Sequence, residues 1–405
     1  MKQVYSILMI FGLLCVASDG LADSSLEAQV KELKLLVQEL KQTVESQQQE
    51  INALKTSQEP PVPPVPATAA LPQPPGSATR GRWNPDIGVI ADTVLKLDSP
   101  KEDAEGADRI SVRELELIFG SYVDPYSRLD VNIALSDFED VHLQEAYLTR
   151  FGLPWDLTGR VGRFKPKVGK ALLFHRDILD TADEPLVVQR YFGTDGLNKT
   201  GADLTKPLDL PFDSSHELVF GVIEGGGGEG GTAFGDARRR PTLYSHLKNF
   251  WDITDVTTFE LGLSQMTGSK DEDAGFETNV AALDGTWIHL YGPDQRLKIQ
   301  SELFYLNWDE SLDEDLWGTY ALLDNRFHKQ WSAGARFDYV ELVDNPPSNP
   351  DEFDIGYTGY LTFYQTEFAR WRVQYSHIDL AGGEDDNQVL IQGIFAIGEH
   401  KHKLQ

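Results

Sequence analysis

Residues 128–137 read "RLDVNIALSD", and this stretch decides the fold. Apolar side chains occupy one set of alternate positions and polar or small side chains the other: Leu129, Val131, Ile133 and Leu135 against Arg128, Asp130, Asn132 and Ala134. Successive side chains of a β-strand point to opposite faces, so a period of two predicts a strand with one apolar and one polar face. Residues 257–265, 331–339 and 370–379 repeat the pattern as "TTFELGLSQ", "WSAGARFDY" and "RWRVQYSHID".

About 16 segments of this kind lie between residues 83 and 405, and the connections between them alternate in length. Short links such as "YGPDQR" at 291–296 alternate with long polar ones such as "VELVDNPPSNPDEF" at 340–353. This asymmetry is typical of β-barrels that span an outer membrane. A soluble β-sandwich of this length needs two cores, and no blade-length repeat supports a propeller. The sequence therefore predicts an all-β fold, an antiparallel transmembrane β-barrel of about 16 strands over residues 83–405.

Residues 1–22 have the features of a secretory signal peptide. Lys2 supplies the positive start, residues 7–16 the apolar run, and Gly20-Leu21-Ala22 a small-x-small cleavage site. A retained anchor is the alternative, but the apolar run is short for a bilayer span. The single cysteine of the chain, Cys15, lies within this segment. The mature chain is therefore expected to have no disulfide, thiolate metal site or cysteine nucleophile.

A coiled-coil oligomerisation helix is predicted at residues 23–58, because apolar residues recur there in alternating steps of four and three. The positions of this oligomerisation seam are Leu26, Val30, Leu33, Val37, Leu40, Val44, Ile51 and Leu54. A solitary surface helix is the alternative, although so narrow an apolar stripe is marginal outside a coil. β-branched residues at one core position with leucine at the other favour a parallel dimer. Residues 59–82 form a proline-rich linker, whose prolines end the helix and favour an extended spacer.

Residues 143–169, 191–208 and 391–404 carry a resemblance to a known family. They read "LQEAYLTRFGLPWDLTGRVGRFKPKVG", "YFGTDGLNKTGADLTKPL" and "IQGIFAIGEHKHKL". These stretches resemble the phosphate-selective porin O and P family, in which a coiled-coil start and a proline linker are also common. The chain departs from that family in its strongly acidic balance and in ending at Leu404-Gln405 rather than at an aromatic residue. The resemblance implies a trimeric outer-membrane barrel with a long third loop folded inward.

Residues 160–170, "RVGRFKPKVGK", concentrate positive charge in a chain whose formal net charge is -28. Strand alternation places Arg163 and Lys165 on one face and Phe164 on the other. A charge that faces lipid costs ~2–4 kcal/mol near the midplane of the bilayer and little at an interface. We therefore predict that Arg163 and Lys165 face the lumen. Phe164 and Gly162 are predicted to face outside.

From Pro166 to about Asn198 the chain leaves the strand, which is long for an unstructured link and typical of a functional loop. In a wide barrel a loop folded inward narrows an otherwise open aqueous channel, and opposed charges across the gap then govern selectivity. An external flap with solvated charges is the alternative. The candidate pore-lining or constriction residues are Arg163, Lys165, Lys167, Lys170, Arg176, Arg128, Arg336, Arg370 and Arg372.

The remaining signals exclude several classes of protein. The acidic balance argues against a nucleic-acid partner. His400 and His402 share one strand face, but two ligands make a weak metal site, so no metal or cofactor is predicted. The spacing of serine and histidine residues assembles no nucleophile, base and orienting group, so no catalytic residue is predicted. The arginines at 238–240 fit either anion collection or a solvated loop.

Together these observations predict an outer-membrane porin of a Gram-negative bacterium, with the N-terminal coiled coil in the periplasm. Such a porin would allow passive diffusion of small hydrophilic solutes, with anions such as phosphate as one class. The expected partners are outer-membrane lipid, lipopolysaccharide, solutes or ions, and copies of the same chain in a homotrimer, with a dimer as the alternative. The alternative function is structural: a plugged barrel that anchors a periplasmic coiled coil and has no transport role.

Overall fold

The computed structural model describes residues 85–99, 109–136, 140–210, 214–228, 231–235, 238–270, 277–308, 314–342, 353–381 and 383–398. The predicted signal peptide at 1–22, coiled coil at 23–58 and proline-rich linker at 59–82 lie outside the described residues. His400 and His402 lie outside them as well. These segments, with the oligomerisation seam, therefore remain predictions.

The described residues form sixteen antiparallel strands in one closed barrel, in which each strand pairs with its neighbours in sequence and the first pairs with the last. The strands are β1 Asp86–Ser99, β2 Arg109–Asp124, β3 Ser127–Ser136, β4 Asp140–Leu153, β5 Leu157–Phe164, β6 Lys199–Leu208, β7 Ser215–Ile223, β8 Thr242–Thr254, β9 Thr257–Ser269, β10 Glu277–Gly292, β11 Gln295–Trp308, β12 Glu314–His328, β13 Trp331–Glu341, β14 Phe353–Thr366, β15 Ala369–Leu380 and β16 Glu384–Gly398. The barrel closes where β1 pairs with β16, in a register that runs from Gly88 opposite Gly398 to Ser99 opposite Asn387. The predicted fold class, including the number of strands, is confirmed.

The two faces of the wall follow the alternation in the sequence. On β15, Trp371 and Val373 are exposed, whereas Arg370 and Arg372 are buried. The exposed set points away from the barrel and the buried polar set points into it, because neighbouring side chains of a strand take opposite faces. An apolar outer face with a polar interior is typical of barrels that lipid surrounds. No helix within the described residues has the length and apolar composition of a membrane span.

The two ends of the barrel differ in their connections. Tight two-residue turns close one end at 125–126, 255–256, 293–294, 329–330 and 367–368. The other end, which we call the loop end, carries the longest connections, at 165–198 and 224–241. Near the tight turns the outer face bears aromatic pairs such as Trp251 and Phe259, whose ring centroids lie 5.7 Å apart. An aromatic belt of this kind is typical of a membrane interface.

The connection between β5 and β6, residues 165–198, folds into the barrel, and we call it the inward loop. It contains two short 3-10 helices, Ala171–Leu173 and Arg176–Ile178, and one α-helix, α1, Leu186–Phe192. Its backbone amides donate hydrogen bonds to side chains of distant strands: Gly169 to Ser264 Oγ at 2.9 Å, Ala182 to Gln374 Oε1 at 2.7 Å and Leu186 to Asp338 Oδ1 at 3.0 Å. The loop therefore lies inside the wall, and the alternative of an external flap is wrong.

Helix α1 explains why this loop enters the barrel. Val187, Val188, Tyr191 and Phe192 are fully buried, and the ring of Phe192 packs against Phe304 of β11 with centroids 5.5 Å apart. Apolar surface removed from water stabilises a fold by roughly 25 cal/mol per Å². An external flap would leave these side chains in water. One sector of the lumen is consequently an apolar core rather than an aqueous space.

Candidate constriction and its lining

Strand β5 leads into the inward loop, and its faces are the reverse of the prediction. Phe164 is fully buried and packs against Tyr147 of β4, with ring centroids 6.1 Å apart. Arg160 shares this inward face, and its guanidinium carbon lies 4.4 Å from the centroid of the Phe164 ring. Val161 is 56% exposed, so the outward face carries Val161 and, by alternation, Arg163. The prediction that Phe164 faces outside is wrong, because the apolar core of the inward loop offers packing partners to an inward ring.

Arg163 lies at the mouth of the barrel rather than in its lumen. Its Nε donates to the carbonyl of Leu143 at 2.8 Å, and its guanidinium lies 3.5 Å from the carboxylate of Glu224. Arg163 also borders a polar pocket of about 380 Å³ at the loop end, together with Asp195 and Arg238. A charge at this level reaches water at little cost. The prediction that Arg163 shares a luminal face with Lys165 is therefore wrong.

The three lysines of the basic run lie in the inward loop, and each has its own partner. The partners are the Phe174 carbonyl at 2.7 Å for Lys165, the Glu217 carboxylate at 2.7 Å for Lys167 and the Glu260 carboxylate for Lys170. Hydrogen bonds with a charged donor or acceptor are roughly twice as strong as neutral ones. Each of these positive charges thus has a hydrogen-bond acceptor nearby. These hydrogen bonds hold the inward loop against the wall.

His175 connects the inward loop to the wall at β4. Its Nε2 lies 3.4 Å from Glu145 Oε2, and its side chain is buried. Burial and the charge of Lys165 both act to lower the pKa of His175, but the hydrogen bond with Glu145 and the charge of Glu116 outweigh them and raise it above its ordinary value. A protonated His175 is therefore favoured by its surroundings.

Ion pairs also hold the second 3-10 helix and the residues that follow it. Arg176 pairs with Asp195, which belongs to the returning end of the same loop. Asp180 accepts a hydrogen bond from Lys298 Nζ at 2.7 Å and lies 3.6 Å from Arg296, so it joins the loop to β11. Burial acts to raise the pKa of Asp180, but the two cations outweigh it and lower that pKa to about 2.

Arginines of β13 and β15 hold the middle of the inward loop through its backbone. Arg372 donates to the carbonyls of Leu179 at 2.9 Å and Thr181 at 2.6 Å, and Arg370 donates to Leu179 at 3.2 Å. Arg336 donates to the hydroxyl of Thr181 at 2.7 Å. Within the described part of the chain, no carboxylate lies within ion-pair distance of Arg370 or Arg372. Asp177 and Asp180 of the inward loop act on these two buried arginines from beyond ion-pair distance.

Arg128 differs from the other predicted residues, because its partners lie on the wall and not on the loop. Its Nε donates to Asp130 Oδ1 at 3.0 Å, and its Nη2 lies 3.5 Å from Asp86 Oδ2. It follows the turn at 125–126, so it lies toward the tight-turn end. The structure therefore does not bring Arg128 together with the arginines that hold the loop.

A pair of carboxylates on β2 completes the lining, and the sequence analysis missed it. Glu114 and Glu116 are buried and hydrogen-bond with amides rather than cations: Glu114 accepts from Gln144 Nε2, and Glu116 accepts from Asn132 Nδ2 at 2.6 Å. The signal was present as period-two alternation in residues 109–120, "RISVRELELIFG". A prediction based on basic residues alone does not include these two glutamates.

The wall formed by β15, β16, β1 and β2 therefore holds one part of the inward loop from two positions. Arg113 of β2 donates to Asp92 at 2.9 Å and to the loop carbonyl of Ala182 at 2.8 Å, on the wall that carries the β2 carboxylates. Arg372 of β15, three strands away around the barrel, donates to the adjacent loop carbonyl of Thr181.

Comparison with known proteins identifies the architecture. No protein-family model matches the chain. An uncharacterised protein of Aquifex aeolicus (strain VF5) is 26% identical over 327 residues, which is 70% of this chain and 68% of that protein. The anion-selective porin from Comamonas acidovorans has a TM-score of 0.54 and 12% identity, over 78% of this chain and 99% of the porin. OprB of Pseudomonas putida has a TM-score of 0.54 and 9% identity, over 78% and 94%. The trimer form of OmpT from Vibrio cholerae has a TM-score of 0.53 and 12% identity, over 78% and 99%.

The fold is that of the outer-membrane porins. A sixteen-stranded barrel leaves an aqueous channel unless its lumen is filled. The narrower resemblance to the phosphate-selective porin O and P family rests on residues 143–169, 191–208 and 391–404 and remains a prediction. Identities of 9 to 12% with the solved porins describe the architecture and leave the solute open.

Proposed function

We propose that the protein is an outer-membrane porin that allows passive diffusion of small hydrophilic solutes. The observation that carries this proposal is the inward loop, which is anchored on β9, β11, β13 and β15 and so narrows a barrel that would otherwise be wide. Polar and charged side chains line the remaining lumen, as passage of hydrated solutes requires. In this proposal the chain lies in the outer membrane, surrounded by lipid and lipopolysaccharide.

Small anions, including phosphate, are one solute class of this porin. Arg370 and Arg372 support it, because their charge lies at the loop without an adjacent carboxylate among the described residues. The resemblance to phosphate-selective porins supports it too. The formal net charge of -28 of the chain acts in the opposite sense. We therefore propose a pore that admits anions and is far from strictly anion-selective.

A structural role is the second candidate, and the apolar packing of helix α1 favours it. Val187 and Phe192 fill one sector of the lumen, as they would in a closed plug. In that case the barrel would anchor the coiled coil of residues 23–58 in the periplasm and pass no solute. The two candidates differ in conductance alone, because both keep the same fold.

Conductance of the purified full-length protein in a planar bilayer tests the proposal. We expect discrete steps in potassium chloride and a reversal potential that shifts when phosphate replaces chloride on one side. A folded barrel, verified by β-sheet circular dichroism, that gives no steps would favour the structural role. Conductance steps whose reversal potential is the same for every anion would contradict the proposed passage of anions such as phosphate. They would still support a porin.

A homotrimer is the proposed assembly, and one sector of the wall suits contact between copies. Near the loop end, Ile110 of β2 and Val141 of β4 are 72% and 70% exposed, and they present aliphatic surface. At the same level β12 and β14 carry Trp317 and Phe353, which suit a membrane interface. We therefore place the contact between copies at β2–β4 and the lipid at β12–β14.

A further inference from the structure

A polar pocket of about 380 Å³ lies at the loop end, where β5 leaves the wall of the barrel. Among the described strands, β5 lies beside β4 from Ala146 onward, whereas residues 140–145 of β4 have only β3 beside them. The chain turns into the lumen after Phe164, so β5 does not continue along this part of β4. β4 therefore forms one side of the pocket, which we call the mouth pocket, and the returning end of the inward loop and the connection at 224–241 form the others. Its volume lies within the ~300–1,000 Å³ that small-molecule sites commonly have.

A run of consecutive glycines, residues 225–228, borders the mouth pocket. The amide of Gly228 donates to the carbonyl of Phe192 at 3.0 Å, and a Cβ atom added to Gly228 would lie 2.3 Å from that carbonyl oxygen. Only glycine allows so close an approach of two backbones. Lys199 is buried, and its Nζ donates to the carbonyl of Gly227 at 2.8 Å. This border of the pocket is therefore backbone that the inward loop and β6 hold in place.

The charged residues of the mouth pocket differ in how they are paired. They are Arg163, Lys199, Arg238, Asp195 and Glu224. Glu224 lies 3.5 Å from Arg163, and Asp195 pairs with Arg176 of the inward loop. Arg238 is exposed, and within the described ranges no carboxylate lies at ion-pair distance from its guanidinium. The guanidinium of Arg238 is therefore available to a ligand.

These groups suit a ligand that carries both a phosphate and hydroxyl groups. A guanidinium matches two phosphate oxygens with parallel hydrogen bonds, which makes Arg238 a binding group for phosphate. The carboxylates of Asp195 and Glu224 repel a bare phosphate, but they accept hydrogen bonds from hydroxyls. The amide of Asn198 also lines the pocket, and it can both donate to a hydroxyl and accept from one. A phosphorylated sugar offers both kinds of group in one small molecule.

We propose that the mouth pocket binds phosphorylated sugars as free solutes. The phosphate contacts Arg238, and the sugar hydroxyls contact Asp195, Glu224 and Asn198. This site goes beyond the proposed function, because it lies at the mouth and not at the constriction. Nucleotides are poorer ligands, because the described lining has no phenylalanine, tyrosine or tryptophan on which a base could stack. The phosphorylated core sugars of lipopolysaccharide share the chemistry of the free solute, so they form a separate arm of the test.

Calorimetry of the full-length protein in detergent tests the site, with glucose 6-phosphate, glucose and inorganic phosphate as separate ligands. We expect glucose 6-phosphate to bind about tenfold more tightly than either of the others, because it alone contacts both sets of groups. Arg238→Gln should weaken this binding about tenfold. The matched control is Arg239→Gln, which removes an equal charge from the adjacent residue outside the pocket lining and should bind as the wild type does. Equal losses in the two variants would indicate diffuse attraction between charges and overturn the proposal.

A second variant, Glu224→Ala, separates recognition of the sugar from a structural effect. The carboxylate of Glu224 repels phosphate and accepts from the sugar, so its removal should lower the preference for glucose 6-phosphate over inorganic phosphate about tenfold. A parallel loss of affinity for both ligands, in a barrel whose circular dichroism is unchanged, would contradict recognition of the hydroxyls. No binding of glucose 6-phosphate, or binding of a phosphorylated core oligosaccharide of lipopolysaccharide in its place, would overturn the proposal. Calorimetry does not depend on conductance, so a failed porin assay and a failed mouth pocket are distinguishable.

Discussion

Removing the charge of Asp180 should loosen the inward loop without unfolding the barrel. The neighbouring Lys298 and Arg296 lower the pKa of Asp180 from 3.8 to about 2. At 1.36 kcal/mol per unit this corresponds to roughly 2 kcal/mol of stabilisation of the docked loop. Because the folded pKa is depressed, the stabilisation is complete above pH 4 and is lost as the pH falls through about 2. At neutral pH, Asp180→Asn should therefore raise the undocked fraction of the loop about 30-fold.

Single-channel recording measures this fraction, because an undocked loop changes the width of the lumen. We expect Asp180→Asn to spend about 30-fold more of the recording time at the altered current level than the wild type does. Asp130→Asn is the matched control: Asp130 is also buried in the lumen and bonded to an arginine, Arg128, but that pair lies on the wall away from the loop. If the two variants fluctuate equally, the pair of Asp180 with Lys298 does not hold the loop and the reasoning is refuted.

Three further predictions follow from the lining and from the N-terminal segment. Arg372→Gln should shift the reversal potential toward cations in a salt gradient, and Arg163→Gln should shift it much less, since salt screens a charge at the mouth beyond ~8 Å; the opposite order would place Arg163 at the constriction. The pKa of His175 is raised, so its stabilising effect is present below pH 6.5 and is lost as the pH rises through the folded value. The protection of residues 171–178 against hydrogen exchange, measured relative to the intrinsic exchange rate at each pH, should therefore fall above that pH in the wild type and stay constant in His175→Gln. Crosslinking should give trimers with the full chain and fewer after deletion of residues 23–82, and monomers in both would contradict the predicted coil.

The strands could be predicted from the sequence because their signal is local. In residues 128–137 and 370–379, the face of each side chain follows from its immediate neighbours, and strand β14 shows the same alternation of burial. The presence of a long loop after Pro166 was predictable for the same reason, since it is an interruption of that pattern. The resemblance alone predicted that this loop folds inward, and its anchoring residues could not be predicted, because they lie on strands far along the chain.

The faces of β5 were predicted wrongly because of an assumption about the lumen. A purely aqueous interior would favour an outward Phe164 and an inward Arg163. The interior is instead partly apolar, since Phe192 of the inward loop is packed there, and Phe164 joins that core. No residue near 160–170 reports this, so the error arises from tertiary structure. The carboxylates Glu114 and Glu116 could have been found, because they alternate visibly with apolar neighbours.

The anchors of the inward loop have a consequence for biosynthesis. Gly169, Leu186 and Ala182 bond to residues that follow them by 95, 152 and 192 positions, so the loop emerges well before the strands that receive it. Contacts this distant in sequence form late in folding. Until β11, β12 and β13 are in place, the apolar side of helix α1 lacks the wall that covers it, and exposed surface of this kind promotes aggregation. The segment that narrows the finished barrel is thus the one that most needs a chaperone before the barrel closes.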